Sequence, residues 1–404
     1  MNLKKLSIPI QTKLMPTFYR EFACIMGRCQ ENCCDCGWNI WFSKKDYLKI
    51  KRAPKSPAVE ERVKKAMRRL PEQTRTTEQY AEFVTREGKC PLHNEDGLCE
   101  LQLECGRETL PLVCRTFPRK EVLTPMAKEY SLSTACEAVV EQLWNLPDGI
   151  EFLEEPLERE QWRYVEPTSY NRFFPILRST CIDILQNRRY SIPERLVLLG
   201  VVLDHLQKTE PGYVHPESWE QQVQRLLDGP SMDLPFDSQV SQISLQNYLD
   251  TVKRSLGHVP YFQQLIFLLT ANITLSKKDA NTVRVDSKSY YTYLKKQFED
   301  AFGDISYFWE NLLVNTWFYL SSPDLTAADA LWKSYVNLCQ IYSFFRHTAV
   351  LGCGTEPTRE KLFHAIVMAS REMLHNSKRQ SALRDHFFEH DSATLAHMAI
   401  LVQD

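Results

Sequence analysis

The chain has no run of about 18 consecutive apolar residues, which a membrane-spanning helix requires. We therefore expect no membrane span and no membrane partner in its 404 residues. An apolar export signal is also missing from the first residues, where Lys4, Lys5 and Lys13 separate short apolar pairs. Without export the thiols are expected to stay reduced, which favours metal binding over disulfides.

Cysteine is scarce after residue 136. The last 268 residues contain only Cys181, Cys339 and Cys353, which fall on or near apolar stripes and are expected to be small core residues. The other ten cysteines lie between residues 24 and 136: Cys24, Cys29, Cys33, Cys34, Cys36, Cys90, Cys99, Cys105, Cys114 and Cys136. Cysteines this dense are ligands or disulfides, and we expect ligands.

Two familiar ligand spacings are missing from this segment. A zinc ribbon requires two Cys-x2-Cys knuckles, and bacterial ferredoxins use Cys-x2-Cys-x2-Cys. Instead, Cys33 and Cys34 are adjacent, and consecutive side chains diverge. The pair suits two sites, or a cluster whose ligands surround a cube. Spacing leaves open one four-iron cluster with a zinc, or two metal sites.

Charge is distributed unevenly along the chain. The net charge is −2, but residues 1–70 carry 16 Lys and Arg against 6 Asp and Glu. Such a basic block can bind nucleic acid or an acidic partner, or offset the charge of clustered thiolates. A solvated basic surface is the plain alternative. Because no nucleic-acid-binding motif accompanies the block, nucleic acid is the least expected partner.

The pattern of apolar residues predicts a mainly α protein in which a small Cys-rich module precedes a larger all-helical domain. We place the metal-binding module at residues 1–145, an acidic, proline-containing linker at 146–167 and the helical domain at 168–404. Composition is ordinary for a globular protein. Helical spacing predicts helices over residues 44–52, 57–70, 239–256, 261–276, 287–302, 307–320, 327–351, 359–376 and 382–402.

Three polar residues on the aromatic 307–320 helix are candidates for a catalytic site. They are Glu310, Asn311 and Asn315, of which Asn311 and Asn315 share a face because they are four residues apart. A buried amide pair must find hydrogen-bond partners, and a ligand could supply them. An exposed polar face is the alternative interpretation.

Two resemblances now become recognisable. Residues 90–119, CPLHNEDGLCELQLECGRETLPLVCRTFPR, together with Cys33-Cys34, resemble the CxxCxxCC iron- or zinc-chelating module. FACIMGRCQENCCDCGWNIWFSKKDYLKI at 22–50, SLSTACEAV at 131–139 and FWENLLVNTWFYL at 308–320 resemble flagellin lysine-N-methylase, the FliB family. Eight cysteines match the pattern of that family: Cys24, Cys29, Cys33, Cys34, Cys90, Cys99, Cys114 and Cys136. Cys36 is ambiguous, and Cys105 is off the pattern.

The resemblance implies methyl transfer from S-adenosylmethionine to the ε-amine of lysines in flagellin, in the cytoplasm. It also implies that the eight cysteines are metal ligands and that four of them hold an iron–sulfur cluster of the 4Fe–4S type, with zinc as the alternative metal. Which four they are stays open. The chain has no G-x-G-x-x-G after a strand, so we expect the adenosylmethionine site to differ from that of doubly wound methyltransferases. A non-enzymatic zinc- or iron-binding protein-interaction module is the competing hypothesis.

Overall fold

Two groups of chain segments form separate units in the computed structural model. It describes residues 7–53, 55–166, 168–208, 221, 223–225, 228, 238–270, 273–276, 282–285, 287–323 and 330–403. The smaller unit contains Phe22–Lys120 and Cys136–Val139, and the larger unit contains Met1–Glu21, Glu121–Ala135 and Val140–Asp404. The chain therefore leaves the larger unit for the cysteine-rich segment and returns to it.

The described residues form the following elements. The strands are β1 (Ile8–Ile10), β2 (Thr12–Pro16), β3 (Ile40–Phe42), β4 (Met67–Arg69), β5 (Ala81–Phe83), β6 (Arg119–Leu123), β7 (Lys128–Leu132), β8 (Phe152–Pro156), β9 (Arg163–Val165), β10 (Ile273–Ser276) and β11 (Thr282–Val285). The helices are α1 (Phe18–Glu21), α2 (Lys44–Arg52), α3 (Pro57–Ala66), α4 (Glu100–Cys105), α5 (Leu112–Thr116), α6 (Glu137–Trp144), α7 (Ser169–Leu185), α8 (Ile192–Lys208), α9 (Ser238–Ser255), α10 (Pro260–Thr270), α11 (Ser287–Phe302), α12 (Ser306–Tyr319), α13 (Ala330–Cys353), α14 (Arg359–Leu374), α15 (Ser377–Glu389) and α16 (Leu395–Val402). Short 3-10 turns lie at Met26–Arg28, Arg107–Thr109 and Arg159–Gln161.

The smaller unit packs short helices against a three-stranded antiparallel sheet in the order β3-β5-β4. Helix α2 begins after Ser43, whose hydroxyl accepts a hydrogen bond from the backbone N–H of Asp46. Ser56 caps α3 in the same way, and Pro57 occupies its first position. The apolar core is small: Phe42, Ile50, Val59, Val63, Ala66, Ala81, Phe83, Leu92, Leu101 and Leu110. A core of this size leaves room for metal ligation to contribute to stability.

The larger unit combines most of the helices with a mixed sheet in the order β6-β7-β2-β8. Strand β2 runs parallel to β7 and antiparallel to β8, with Pro16 opposite Phe152. Strand β1 pairs separately with β9. Helix α12 is buried over its whole length from Phe308 to Tyr319. A helix that is buried on every side lies in the interior of the unit rather than on its surface.

The mainly α fold class is confirmed, and most of the predicted helices are present with ends shifted by a few residues. Helix α2 has the predicted bounds, whereas α3 ends at Ala66 and the chain continues as β4. The helix predicted over 261–276 ends at Thr270 and is followed by β10. The helix predicted over 382–402 is two helices, α15 and α16.

The predicted linker and domain boundaries differ from the structure. Residues 146–167 contain β8 and β9, which pair with β2 and β1, so this stretch belongs to the sheets of the larger unit. The first residues of the chain belong to that unit as well. Acidic residues and prolines made the stretch look like a linker, because strands this short carry little apolar alternation of their own.

None of the described helices is both long and apolar enough to cross a membrane.

Candidate metal centre

Close backbone contacts fold the cysteine-rich turns of the smaller unit onto one another. Gly97 has a φ of +73° and its Cα lies against the turn at Gly27. A Cβ built on Gly27 would lie 2.3 Å from the carbonyl oxygen of Asp96, so only glycine fits there. The Asn94 carboxamide closes the same loop by accepting from the N–H of Leu98 at 2.8 Å. These contacts set the loop between Cys90 and Cys99 against the turn that follows Cys24.

Cys34, Cys90, Cys99 and Cys114 form what we call the first thiol set. The N–H of Cys90 donates to the carbonyl of Cys34 at 2.8 Å, and a β-bridge between His93 and Cys99 returns the chain to this point. Burial raises the pKa of Cys114, and the neighbouring Cys90, Cys33 and Cys99 add to the rise. These influences indicate that Cys90, Cys99 and Cys114 lie near one another, and Cys33 of the second set described below acts on all three and on Cys34.

Cys24, Cys29, Cys33 and Cys136 form the second thiol set. The carboxylate of Glu137 accepts hydrogen bonds from the N–H groups of Gln30 and Glu31 at 2.8 and 2.9 Å, and it lies 3.5 Å from Cys29 Sγ. This carboxylate holds the turn at Cys29 beside Cys136. Burial raises the pKa of Cys136 to about 12, and Cys33 and Cys24 add to the rise.

Burial and mutual repulsion raise the pKa of six of these thiols, those of Cys29, Cys34, Cys90, Cys99, Cys114 and Cys136. Burial is the largest cause of the raised pKa of Cys29 and Cys99, and it raises the pKa of Cys90 to about 11. For Cys34, a hydrogen bond with Cys33 is the largest cause of the rise, followed by burial. A bound cation reverses this balance, because thiolate is the form that ligates metal. The donor chemistry fits an iron–sulfur cluster or zinc, both of which are held by cysteine thiolates.

The thiols are neighbours, but within the part of the chain that the structure describes no three cysteine sulfur atoms all lie within 4.8 Å of one another. Among the described residues, the one group of three or more His, Cys, Asp or Glu donor atoms that all lie within 4.8 Å of one another is His386, Glu389 and His390. The eight cysteines therefore remain predicted ligands. The histidine group was missed in the sequence, although two histidines four residues apart on a helix are a known ligand pattern.

Two further polar residues adjoin the first thiol set. His93 Nδ1 lies 2.9 Å from the Asp35 carboxylate, and His93 Nε2 is buried without a hydrogen-bond partner among the described residues. Burial is the largest cause of the raised pKa of Cys90, and the charges of Cys99 and Asp35 add to the rise. Neither residue was a sequence candidate, since an isolated histidine and an aspartate in a turn carry no spacing signal.

The remaining cysteines fall into two kinds. Cys36 lies beside the first set: its thiol donates to the carbonyl of Cys33 at 3.1 Å, and it contributes to the raised pKa of Cys114, which burial causes first. Cys36 stays ambiguous, either a further ligand or a bystander. Cys105 packs against the apolar core. Cys181, Cys339 and Cys353 are fully buried in the larger unit, as the sequence predicted.

Glu310, the first of the catalytic candidates, is buried in the larger unit and forms two ion pairs. Its carboxylate lies 2.7 Å from Arg195 Nη1 and 3.0 Å from Arg188 Nη2. Gly149, with a φ of +98°, passes so close that a Cβ there would lie 3.0 Å from Glu310 Oε1. The ion pairs give this carboxylate a structural role, and a catalytic role stays a prediction.

Asn311 and Asn315 are also buried, so the exposed polar face is wrong. The Asn311 amide donates to the carbonyls of Leu143 and Leu146 at 2.9 and 2.8 Å, and the Asn315 amide donates to the carbonyl of Leu132 at 3.1 Å. Both Oδ1 atoms are buried without a partner among the described residues. The amide donors are thus satisfied by backbone, and only the two acceptors remain for a ligand.

The aromatic residues of α12 are core residues. Trp317 is fully buried, and one face of Trp309 is covered by the guanidinium of Arg346, 4.8 Å from the ring centroid. Two cavities are lined by described residues of the larger unit. One, of about 20 Å³, holds a single water molecule at most. The other is an open cleft of about 730 Å³ lined in part by Ser179, Thr180 and Asp183.

The fold and the thiol sets together define a class of protein. It is mainly α, and the residues of its thiol-rich unit lie, in sequence, between segments of a larger helical unit. Residues 178–401 match the family described as the FliB lysine N-methylase C-terminal domain. The match spans more than half of the chain, and the chain belongs to this family. No solved structure matches it.

Relatives of known name are found in Salmonella. The chain is similar to the lysine-N-methylase of Salmonella typhimurium, with 24% identity over 278 residues, and to that of Salmonella choleraesuis, with 25% identity over 278 residues. Each match covers 63% of this chain and 66% of the relative, so the chain spans just under two thirds of their length. The flagellar biosynthetic protein FliU of Salmonella muenchen is 29% identical over 138 residues, 33% of this chain and 78% of that protein.

Proposed function

We propose that the protein transfers a methyl group from S-adenosylmethionine to the ε-amino groups of lysines in flagellin, in the cytoplasm. The observation that carries the proposal is the family match over residues 178–401, which covers most of the larger unit. The names of the relatives, lysine-N-methylase and a flagellar biosynthetic protein, support both the reaction and the substrate.

The smaller unit holds the metal in this proposal. The first thiol set and the second thiol set each bind one thiolate-ligated centre, at least one of them a 4Fe–4S cluster, with zinc as the alternative metal. Adjacent Cys33 and Cys34 then bind different centres. Two centres suit this pair, because the side chains of consecutive residues point in different directions. When bound, the metal supplies bonds that join the turns of a unit whose apolar core is small.

Methyl transfer requires the protein to position two reactants, adenosylmethionine and the acceptor lysine. The acceptor lysine must be neutral and in line with the sulfonium methyl group, and exclusion of water favours the neutral amine. The open cleft beside α7 is of a size suited to a small-molecule cofactor. Asp183, an exposed residue at the rim, lines it, and partial desolvation raises the pKa of this carboxyl group. We place adenosylmethionine in this cleft, where a carboxylate can accept from ribose hydroxyls.

Isotopically labelled adenosylmethionine and flagellin, incubated with anaerobically purified protein, test the proposal. Mass spectrometry is expected to find labelled methyl groups on flagellin lysines. Asp183→Asn is expected to weaken adenosylmethionine binding in equilibrium dialysis. Asp204→Asn, which alters a partly exposed aspartate on α8 that pairs with Lys208 outside the cleft, is the matched control. A folded, metal-loaded protein that leaves flagellin unmodified would overturn the proposal.

The competing function is a non-enzymatic zinc- or iron-binding module that docks a protein partner. The density of thiols in the smaller unit favours it as much as it favours the enzyme. Colour and methylation together separate the two. A brown protein with iron–sulfur absorption that methylates flagellin supports the methyltransferase, and a colourless zinc protein that binds flagellin without modifying it supports the docking module.

A further inference from the structure

Three metal-ligating side chains of the larger unit converge where α15 ends. Donor atoms of His386, Glu389 and His390 all lie within 4.8 Å of one another, and the two imidazole centroids are 4.0 Å apart. The residues follow the helical spacing i, i+3 and i+4, which places them on one face of the last turn. Glu389 and His390 are exposed and His386 is partly buried, so an ion has access from solvent.

The hydrogen bonds of His390 orient it as a ligand. Its Nδ1 lies 2.9 Å from the backbone carbonyl of His386. Because a carbonyl oxygen can only accept, Nδ1 carries the proton and Nε2 keeps its lone pair. A backbone carbonyl behind one ring nitrogen is how proteins commonly fix the tautomer of a metal-binding histidine.

Arg254 is the neighbour that faces the imidazole of His386. Arg254 Nη1 lies 2.7 Å from Nε2 and 3.0 Å from Nδ1 of His386. Guanidinium only donates, and a neutral imidazole has a single acceptor nitrogen. Arg254 therefore occupies the lone pair that an ion would use, and its side chain has to move aside when the ion binds.

We propose that His386, Glu389 and His390 bind a divalent transition-metal ion such as Zn²⁺, separately from the metal centre of the smaller unit. Two imidazoles and a carboxylate suit zinc and its neighbours in the series, whereas Ca²⁺ and Mg²⁺ prefer oxygen ligands alone. Three protein ligands leave a fourth position for water. Arg254 competes with the ion for His386, so this residue limits the affinity of the site.

Zinc titration of the full chain, with its cysteine-bound metal in place, tests this inference. Calorimetry is expected to find one additional Zn²⁺ per chain at pH 7.5 and no comparable heat with Ca²⁺. His390→Gln is expected to weaken that event by roughly 10–100-fold, the range for disturbed metal sites. Arg254→Gln is expected to tighten it, because a competing cation is removed. His397→Gln, an exposed histidine outside the group, is the control and is expected to change nothing.

Each outcome of the titration either supports or overturns the inference. Absence of a further zinc equivalent, equal affinity in wild type and His390→Gln, or weaker binding in Arg254→Gln would each overturn the inference. Circular dichroism without added zinc checks that every variant is folded, since the substituted side chains of His390 and His397 are exposed. The readout is metal binding, so the result is independent of whether the protein methylates flagellin.

Discussion

Arg178 and Glu129 form a buried ion pair at the centre of the larger unit. Arg178 Nη2 donates to both carboxylate oxygens of Glu129, at 2.8 and 2.7 Å, and the side chains are only 1% and 2% exposed. Thr124 donates a further hydrogen bond to the carboxylate at 3.0 Å. The pair joins α7 to β7, two elements that are about 50 residues apart in sequence.

Removing the charge of Glu129 is expected to destabilise the larger unit. Glu129→Gln leaves a buried guanidinium without a counterion, which costs about 3–5 kcal/mol. The free energy of unfolding, measured in urea, checks this. Glu121→Gln is the matched control, because its pair with Lys128 is largely exposed and is worth less than about 1 kcal/mol. Equal losses in the two variants would contradict the importance of burial.

Substitutions in the two thiol sets are expected to remove different metal centres. Cys99→Ser should lose the metal of the first set and keep that of the second, and Cys136→Ser should do the reverse. Elemental analysis of iron and zinc after anaerobic purification measures both. Cys105→Ser, which alters a thiol packed on the apolar core, is the control and should retain all metal. If either single variant lost all of its metal, one shared centre would replace two.

Trp38 is expected to protect the thiol sets from water. Its ring packs edge-on against that of Phe117, with centroids 5.2 Å apart. In sequence, Trp38 follows Cys36 by two residues and Phe117 follows Cys114 by three. Trp38→Ala is expected to keep helical content and reduce flagellin methylation about tenfold, which corresponds to about 1.4 kcal/mol. Trp41→Ala controls for loss of an indole, because Trp41 is 46% exposed. Undiminished methylation by Trp38→Ala would refute the protective role.

Alkaline pH is expected to destabilise the larger unit through Cys339. Burial raises the pKa of this thiol from 9.0 to about 12, so the folded state holds its proton where the unfolded chain releases it. The stability is complete below pH 9 and falls as the pH rises towards 12, with a slope of up to about 1.4 kcal/mol per pH unit. Denaturant unfolding across this range should give a shallower slope for Cys339→Ala. An unchanged slope would exclude the thiol as the cause.

Local signals in the sequence were enough for the individual helices of both units. Helix α2 has the predicted bounds because Ser43 caps its start and its apolar residues recur at helical spacing. The paired strands were not predictable in the same way. Strand β8 finds its partner β2 about 140 residues earlier, and nothing within residues 152–156 identifies that partner. Which strands pair over such distances along the chain depends on the packing of the whole fold.

The candidate metal centre, like the fold, could be predicted from the sequence only in part. The sequence identified the eight cysteines as ligand candidates through their density and the family pattern. It left open how they divide, because the second thiol set joins Cys29 to Cys136 across more than 100 residues, through the hydrogen bonds of Glu137. The burial of Asn311 and Asn315 was likewise unpredictable, since neighbouring polar residues on a helix usually mark a solvated face.

The pairing of β2 with β8 has a consequence for the order of events during translation. Strand β2 is made first, and its partner β8 follows about 140 residues later, a delay of roughly 7–30 s at ribosomal speed. Within that interval every cysteine of both thiol sets leaves the ribosome, because Cys136 precedes β8. A metal bound by the two thiol sets, as we propose, would therefore be able to bind the nascent chain before β8 completes the sheet of the larger unit.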